Sequence, residues 1–237
     1  MTNKPPDLGA ASVPPTASSY PRIQVALDVT SIDEATRLAT AALDAGADQL
    51  EIGKPLIEFL GLHGAASVIE RFPGVHFELD LMIMAGAASF VEAAADMGAR
   101  GVTVTALVPW FTVEDAVARG KDLGVRVCVD LFNVSDPVAT AHRAERAGAR
   151  AVMVHVGVDQ RRHDPRFSLL DELRRIASSL SIPVAYATYD IDQAVAAVAA
   201  GASEIVQGTP LIEADDPRAA LAAFIDKVKG RDAGRVA

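Results

Sequence analysis

The sequence predicts a single eight-stranded β/α barrel, from its length, its alternation of strands and helices, and a glycine that recurs before many strands. The chain has 237 residues, close to the about 250 that are typical of this fold. Short apolar runs alternate with longer helical stretches, as in parallel strands joined by crossover helices. We expect one barrel domain over 22–229, a proline-rich flexible N-terminal tail over 1–21, and a C-terminal tail over 230–237.

Eight apolar runs are candidate strands. They are IQVALD (23–28), QLEIG (49–53), HFELDL (76–81), GVTVTA (101–106), VRVCVD (125–130), AVMVHV (151–156), PVAYAT (183–188) and EIVQG (204–208). Strands buried on both faces are expected to be nearly all apolar, as these are until their last residue or two. An open doubly wound sheet is the alternative, but the first strand does not lead into a glycine-rich phosphate loop.

Helix ends and starts support this division. Five similar joints place a glycine between a helix and the next strand: DAGAD (44–48), DMGAR (96–100), DLGVR (122–126), RAGAR (146–150) and AAGAS (199–203). Glycine adopts the left-handed conformation that ends a helix without steric cost. Helix starts are predicted at Ser31, which forms a capping-box pattern with Glu34, and at Thr112, Ser135 and Asp190.

Composition excludes several classes of partner. The formal net charge is -9, which argues against nucleic acid or an anionic membrane as a partner. The single cysteine, Cys128, lies in an apolar run, so we expect a buried thiol and no disulfide framework. Charge or glycine interrupts every hydrophobic run before the roughly 18 residues of a membrane span. A cytoplasmic protein with a small-molecule substrate is expected.

Polar residues at the ends of several strands predict the active site. In a β/α barrel the active site lies at the carboxyl ends of the strands, and here these positions hold Asp28, Glu51, Asp80, Asp130 and His155. Four carboxylates in one mouth repel each other unless a cation or protonation compensates. A divalent metal is therefore expected, with Glu51 and Asp80 the best candidates to bind Mg²⁺.

Six segments along the chain carry a family resemblance. They are VALDV (25–29), EIGKPLI (51–57), ELDLMIMAG (78–86), VDLFNV (129–134), VHVGVD (154–159) and EIVQGTPLI (204–212). The series resembles the strand ends of the 3-hexulose-6-phosphate synthase and 3-keto-L-gulonate-6-phosphate decarboxylase group of the orotidine-monophosphate decarboxylase superfamily. The resemblance covers about residues 22–229.

The resemblance implies a carbon–carbon lyase. It implies a magnesium ion held by Glu51 and Asp80, which stabilises an enediolate formed by decarboxylation or proton removal. It also implies that Asp28 and Asp130 lie in the site, that His155 delivers a proton, and that the chain is a homodimer.

Four departures from the family pattern alter the same pocket. Met82 stands where the family has a lysine, and Ala85 where it has a second aspartate. A thioether cannot transfer a proton, so the family's lysine chemistry is impossible here. Thr188–Tyr189 replaces a glycine pair after strand 7, and Thr209–Pro210 follows Gly208 after strand 8, so phosphate binding is expected to be weakened.

Other residues are candidates to bind an anionic substrate. Lys54, three residues after Glu51, could restore the positive charge that Met82 lacks, and Arg161 and Arg162 could clamp a carboxylate or phosphate. The remaining candidates for substrate or phosphate binding are Asp159, Thr188, Gly208 and Thr209.

Two functions are compatible with these observations. The first is a carbon–carbon lyase, a decarboxylase or aldolase, acting on a small sugar phosphate or keto acid through a metal-stabilised enediolate. The alternative is a catalytically degenerate barrel that serves as a binding or assembly module, which the loss of the lysine and aspartate would favour.

Overall fold

The computed structural model describes residues 21–230, and the two predicted tails lie outside this range except for Pro21 and Gly230. The described chain forms a closed barrel in which each strand pairs in parallel with the next and β8 returns to β1. The strands are β1 (Arg22–Leu27), β2 (Gln49–Ile52), β3 (Phe77–Ile83), β4 (Gly101–Thr105), β5 (Arg126–Asp130), β6 (Ala151–His155), β7 (Val184–Ala187) and β8 (Glu204–Gln207). All eight predicted strands are confirmed, and the open sheet is excluded.

Helices surround the barrel. They are α1 (Ile32–Asp44), α2 (Lys54–Ile69), α3 (Ala87–Asp96), α4 (Trp110–Leu123), α5 (Pro137–Ala147), α6 (Val158–His163), α7 (Leu170–Ala177), α8 (Ile191–Ala199) and α9 (Pro217–Val228), with a 3₁₀ turn at Leu211–Glu213. None of these helices combines the length and apolar character needed to cross a membrane.

The helix boundaries follow most of the sequence signals. Gly124 and Gly148 end α4 and α5 in the left-handed conformation, with φ of 71° and 91°. The N-cap side chains of Ser31 and Asp190 accept hydrogen bonds from the backbone of α1 and α8, as predicted.

Two predicted helix starts are wrong. Thr112 lies inside α4, which begins at Trp110 after Pro109. Proline disfavours the helical conformation of the residue before it. The helix therefore begins directly after Pro109, two residues before the position that the Thr112 hydroxyl suggested. Ser135 is one residue early, because the side chain of Asp136 caps α5 and Pro137 occupies the first turn.

A buried polar network closes the amino-terminal end of the barrel, and no sequence pattern had predicted it. The guanidinium of Arg126 donates hydrogen bonds to Glu78 and to both carboxylate oxygens of Glu204. The side chains of Glu78 and Glu204 are 2% and 3% exposed, and Arg126 supplies positive charge to both, although Glu204 also pairs with Arg22. Cys128 is also buried in the barrel, as expected.

Candidate active site

A cleft opens at the carboxyl ends of the strands, where the sequence had placed the active site. Its polar lining consists of Asp28, Glu51, Asp80, His155, Thr188, Tyr189 and Gln207, and Gly208 forms part of the wall. The cavity volume is about 50 Å³, enough for a few water molecules.

Asp28 follows β1 and is held between two glycines. A Cβ atom on Gly53 would lie 2.1 Å from Oδ1 of Asp28, and one on Gly208 would lie 2.6 Å from the carbonyl oxygen of Ala26. Neither position has space for a side chain, so the loops after β2 and β8 can approach β1 closely. Burial raises the pKa of Asp28, an effect that His155 partly opposes.

Glu51 projects from β2 into the cleft and is 5% exposed. The amide of Gln24 donates a hydrogen bond to its Oε2. Burial raises the pKa of Glu51 well above its ordinary value, and the nearby carboxylates of Asp80 and Asp28 raise it further. A cation beside Glu51 would relieve this cost.

The local geometry of β3 fixes Asp80. The Thr103 hydroxyl accepts a hydrogen bond from the Met82 backbone N–H at 2.8 Å and donates one to Oδ1 of Asp80 at 2.9 Å. Met82 has a φ of 40°, rare for a residue with a side chain, and it lies where the β3–β4 register shifts. Burial, and next the charge of Asp130, raise the pKa of Asp80 to about 6.

His155 and Asp130 form a hydrogen-bonded pair at the ends of β6 and β5. Nδ1 of His155 lies 2.7 Å from Oδ2 of Asp130, and Oδ1 of Asp130 accepts from the Phe132 backbone N–H. Burial alone would lower the pKa of His155, but Asp130, followed by Asp80 and Asp28, more than offsets this and raises it to about 9. The imidazole is therefore protonated at neutral pH.

The candidate cations lie outside the cleft lining. Nζ of Lys54 pairs with Glu58 at 3.1 Å on α2, although its charge contributes to lowering the pKa of Asp80. Arg161 donates a hydrogen bond to the carboxylate of Asp190. Arg162 lies 3.7 Å from Asp159 on the surface of α6.

The predicted substrate-binding residues divide into two groups. Thr188 and Gly208 line the cleft. Asp159 is not part of the lining, and its side chain is 93% exposed. Thr209 is likewise absent from the lining, and its hydroxyl lies 3.1 Å from Oε1 of Glu213.

Three polar residues of the site were not among the predicted site residues. Tyr189 and Gln207 line the cleft, and Thr103 positions Asp80 from β4. Gln207 could have been found, because it closes the otherwise apolar end of β8 just as the strand-end acids do. Nothing in the local sequence distinguishes Thr103, because its role depends on the register between β3 and β4.

Glu51 and Asp80 remain suitable as magnesium ligands. Within residues 21–230, no three His, Cys, Asp or Glu side chains converge to form a ready-made metal cage. Mg²⁺ typically uses only one or two carboxylates and keeps several waters. A buried carboxylate, Glu51, and a half-buried one, Asp80, with raised pKa values in one cleft fit that requirement.

A closed barrel with a carboxylate-lined cleft and a His–Asp pair at its strand ends defines the protein as a β/α-barrel enzyme. Residues 21–224 match the model of the Orotidine 5'-phosphate decarboxylase / HUMPS family, and the chain belongs to this family. The resemblance carried by the six strand-end segments is thereby confirmed.

Several relatives cover nearly the whole barrel. The chain is 30% identical to 3-hexulose-6-phosphate synthase 3 of Staphylococcus saprophyticus, over 88% of this chain and 99% of that protein. It is 31% identical to the 3-hexulose-6-phosphate synthase of Methylomonas aminofaciens, over 84% and 95%. It spans about half (53%) of the bifunctional enzyme Fae/Hps of Methanothrix thermoacetophila, at 27% identity over 88% of this chain.

Solved structures agree with the barrel. The 3-hexulose-6-phosphate synthase of Salmonella typhimurium superposes with a TM-score of 0.81 at 25% identity, over 89% of this chain and 99% of that chain. KGPDC from Streptococcus mutans has a TM-score of 0.79 over 89% and 98%, and at 20% identity it supports the fold alone.

Proposed function

We propose that the chain catalyses carbon–carbon bond cleavage or formation on a small polyhydroxylated carbonyl compound, a sugar phosphate or a keto acid, through an enediolate. The hydrogen-bonded His155–Asp130 pair beside the carboxylate-lined cleft is the observation that carries the proposal. The similarity to 3-hexulose-6-phosphate synthases supports it.

His155 takes over proton transfer from the lysine that Met82 replaces. Because Nδ1 is engaged with Asp130, Nε2 is the ring atom that can exchange a proton with the substrate. A pKa of about 9 makes the imidazolium a proton donor at neutral pH. After a carbon–carbon bond breaks, His155 would protonate the enediolate, and in the reverse direction it would take that proton back.

We further propose that Glu51 and Asp80 hold a magnesium ion. When bound, the ion would neutralise these carboxylates and stabilise the negative charge of the enediolate. Asp28, between its two glycines, would accept hydrogen bonds from substrate hydroxyls. Thr103 keeps one oxygen of Asp80 engaged and leaves Oδ2 for the cleft.

The change Glu51→Gln tests the catalytic proposal. Magnesium should raise the melting temperature of the wild-type protein, and more at pH 8 than at pH 5. The reason is that burial raises the pKa of both carboxyl groups, that of Asp80 to about 6, so a larger fraction of them is ionised and able to bind the ion at pH 8 than at pH 5. The variant should lose the magnesium-dependent shift and turnover, as measured by thermal denaturation and by an assay over sugar phosphates and keto acids.

The matched control is Glu58→Gln, which removes a carboxylate from the surface of α2. It should keep both the shift and turnover. Turnover retained in Glu51→Gln would overturn the lyase mechanism. A wild-type protein that neither responds to magnesium nor turns over any substrate would instead favour a degenerate barrel used for binding or assembly.

We also propose a homodimer formed through one apolar side of the barrel. Six large apolar side chains between residues 59 and 111 are exposed, on consecutive elements from α2 to α4: Phe59, Leu60, Met84, Phe90, Leu107 and Phe111. Such a concentration is unusual on the surface of a monomer. A second copy of the chain is the occupant that the family resemblance supports.

The double change Phe59→Asp/Phe111→Asp should convert the dimer to a monomer. These two rings are 74% and 65% exposed, so the change removes apolar contact area without opening the core. Light scattering coupled to size exclusion measures the mass. Leu123→Asp, an exposed leucine at the far end of α4, is the control and should remain dimeric. A wild-type protein that is monomeric at micromolar concentration would contradict the proposal.

A further inference from the structure

Two buried glutamines interrupt the apolar runs of the first two strands. Gln24 lies in β1 and Gln49 in β2, and each is 1% exposed. The parallel register places them side by side. The interior of a β/α barrel is ordinarily filled by branched apolar side chains, and a buried amide without hydrogen-bond partners is costly. Each glutamine therefore needs partners inside the barrel.

Hydrogen bonds join the two glutamines into a chain that reaches the cleft. Nε2 of Gln49 donates to Oε1 of Glu204 at 2.9 Å and also to Oε1 of Gln24. Nε2 of Gln24 in turn donates to Oε2 of Glu51, which lines the cleft. All four residues are 5% exposed or less. The chain therefore runs through the barrel interior, from the buried network at its amino-terminal end to the opposite end.

The groups at the start of the chain decide which way each amide points. The guanidinium of Arg22 donates to Oε1 of Gln49 at 2.6 Å, and the carboxylate of Glu204 can only accept. Gln49 therefore turns its carbonyl to Arg22 and its NH₂ to Glu204 and Gln24. Because the carbonyl of Gln24 receives that NH₂, its own NH₂ faces Glu51. The chain thus delivers a donor, and not an acceptor, to the carboxylate.

This donor holds one of the two oxygens of Glu51. Oε2 accepts from Gln24, whereas Oε1 has no hydrogen-bond partner among residues 21–230. Oε1 is also not one of the three buried side-chain atoms of that range that lack a partner, so it is open to the cleft that Glu51 lines. A carboxylate with one oxygen fixed and the other free is oriented to bind a cation. Thr103 holds Asp80 in the same way.

We propose that Gln24 is a positioning residue for the magnesium site: it holds Oε2 of Glu51 so that Oε1 faces the ion, and Gln49 fixes Gln24 in turn. The inference rests on the proposed magnesium site and adds to it two residues that do not line the cleft. It makes the affinity for the ion depend on hydrogen bonds made deep in the barrel.

The melting temperature of the full chain as a function of magnesium concentration, at pH 8, gives the dissociation constant for the ion alone. Gln24→Met should raise this constant by ~10-fold, a typical loss when a group that orients a metal ligand is removed. Methionine fills a similar volume but cannot donate a hydrogen bond. A purely structural role would lower the magnesium-free melting temperature and leave the dissociation constant unchanged.

Gln49→Met tests the next link, and it keeps the inference testable if Gln24→Met does not fold. Gln49 has no hydrogen bond with Glu51 and does not line the cleft. Its replacement should weaken magnesium binding by ~3-fold, because Gln24 keeps its donor but loses the group that fixes it. The double variant should bind magnesium as weakly as Gln24→Met alone, since Gln49 acts only through Gln24.

Tyr186→Phe is the matched control. Tyr186 is fully buried in β7, and its hydroxyl donates to Oε1 of Gln193 at 3.0 Å and accepts from the Leu169 backbone N–H at 3.3 Å. The change removes buried hydrogen bonds that are not connected to Glu51. It should lower the magnesium-free melting temperature and leave the magnesium dissociation constant unchanged.

The outcomes separate this inference from the magnesium site itself. An unchanged dissociation constant in Gln24→Met and Gln49→Met, with binding lost in Glu51→Gln, would overturn the inference and leave the site standing. Equal weakening in Tyr186→Phe would also overturn the inference, because a general loosening of the barrel would then explain the loss. A wild-type chain whose melting temperature does not respond to magnesium would overturn both.

Discussion

Replacing Arg126 with methionine should lower the free energy of unfolding by about 3–5 kcal/mol, because it leaves the buried Glu78 without its cation and leaves the buried Glu204 with only the partly exposed Arg22. Glu78 and Glu204 lie deep in the amino-terminal end of the barrel and both accept hydrogen bonds from Arg126. Methionine fills similar volume, so the loss would be electrostatic and not a packing defect.

The pH dependence of the Arg126→Met change gives a second readout. Burial raises the pKa of Glu78 to about 7 even though Arg126 lowers it, and removal of Arg126 should raise it further. A carboxyl group whose pKa is higher in the folded than in the unfolded protein makes the fold less stable as the pH rises between those two pKa values. The variant should therefore be more destabilised at pH 8 than at pH 5, as measured by urea denaturation.

Arg22→Met is the matched control. Arg22 also pairs with Glu204, at 3.3 Å, but its side chain is 40% exposed. A partly solvated pair contributes roughly 0–1 kcal/mol, so this loss should be much smaller. A destabilisation by Arg126→Met that is no larger than that of Arg22→Met would show that the buried carboxylates are compensated in another way.

This network also shows where prediction from sequence reached its limit. The acids at the carboxyl ends of strands could be predicted, because the closed parallel barrel brings those ends together whatever the strand register. Glu78 and Glu204 lie inside predicted strands, and their partner Arg126 comes from a third strand. A local pattern contains no information on which interior positions of separate strands meet.

Within the active site, sequence position identified the groups but not their connections. Asp130 and His155 were both expected at the mouth, yet only the structure shows that they share a hydrogen bond. Lys54 was expected to restore charge, but it begins α2, where Glu58 lies one turn further on and pairs with it. The spacing of four residues on a helix favours that local pair, so the ammonium group of Lys54 pairs on the helix surface and does not line the cleft.

The substitution Asp130→Asn should reduce kcat by a factor of ~10²–10⁴, the range lost when positioned general acid–base catalysis is removed. The asparagine oxygen can still accept from Phe132, which turns the amide NH₂ towards Nδ1 of His155. An NH₂ group only donates, so Nδ1 must become an acceptor and the imidazole neutral. The proton donor is thereby lost while the ring stays in place.

The titration of His155 distinguishes this cause from simple misfolding. In the wild type, NMR of the imidazole should show a pKa of about 9, and in Asp130→Asn this pKa should fall, because Asp80 and Asp28 still oppose the effect of burial but Asp130 no longer does. The alkaline limb of kcat/KM should move to lower pH in parallel. The wild-type pair also stabilises the fold fully below pH 6.5 and progressively less as pH rises through about 9, a dependence that the variant should lack.

A comparison of single and double variants tests whether Asp130 acts only through His155. If Asp130 acts on the reaction only by holding His155 protonated and oriented, then His155→Gln and the double variant Asp130→Asn/His155→Gln should lose nearly the same activity. If the two residues acted independently, the activity loss of the double variant would be the product of the two single losses. A multiplied loss would mean that Asp130 contacts the substrate itself, although its carboxylate is fully buried and both oxygens are already engaged by His155 and Phe132.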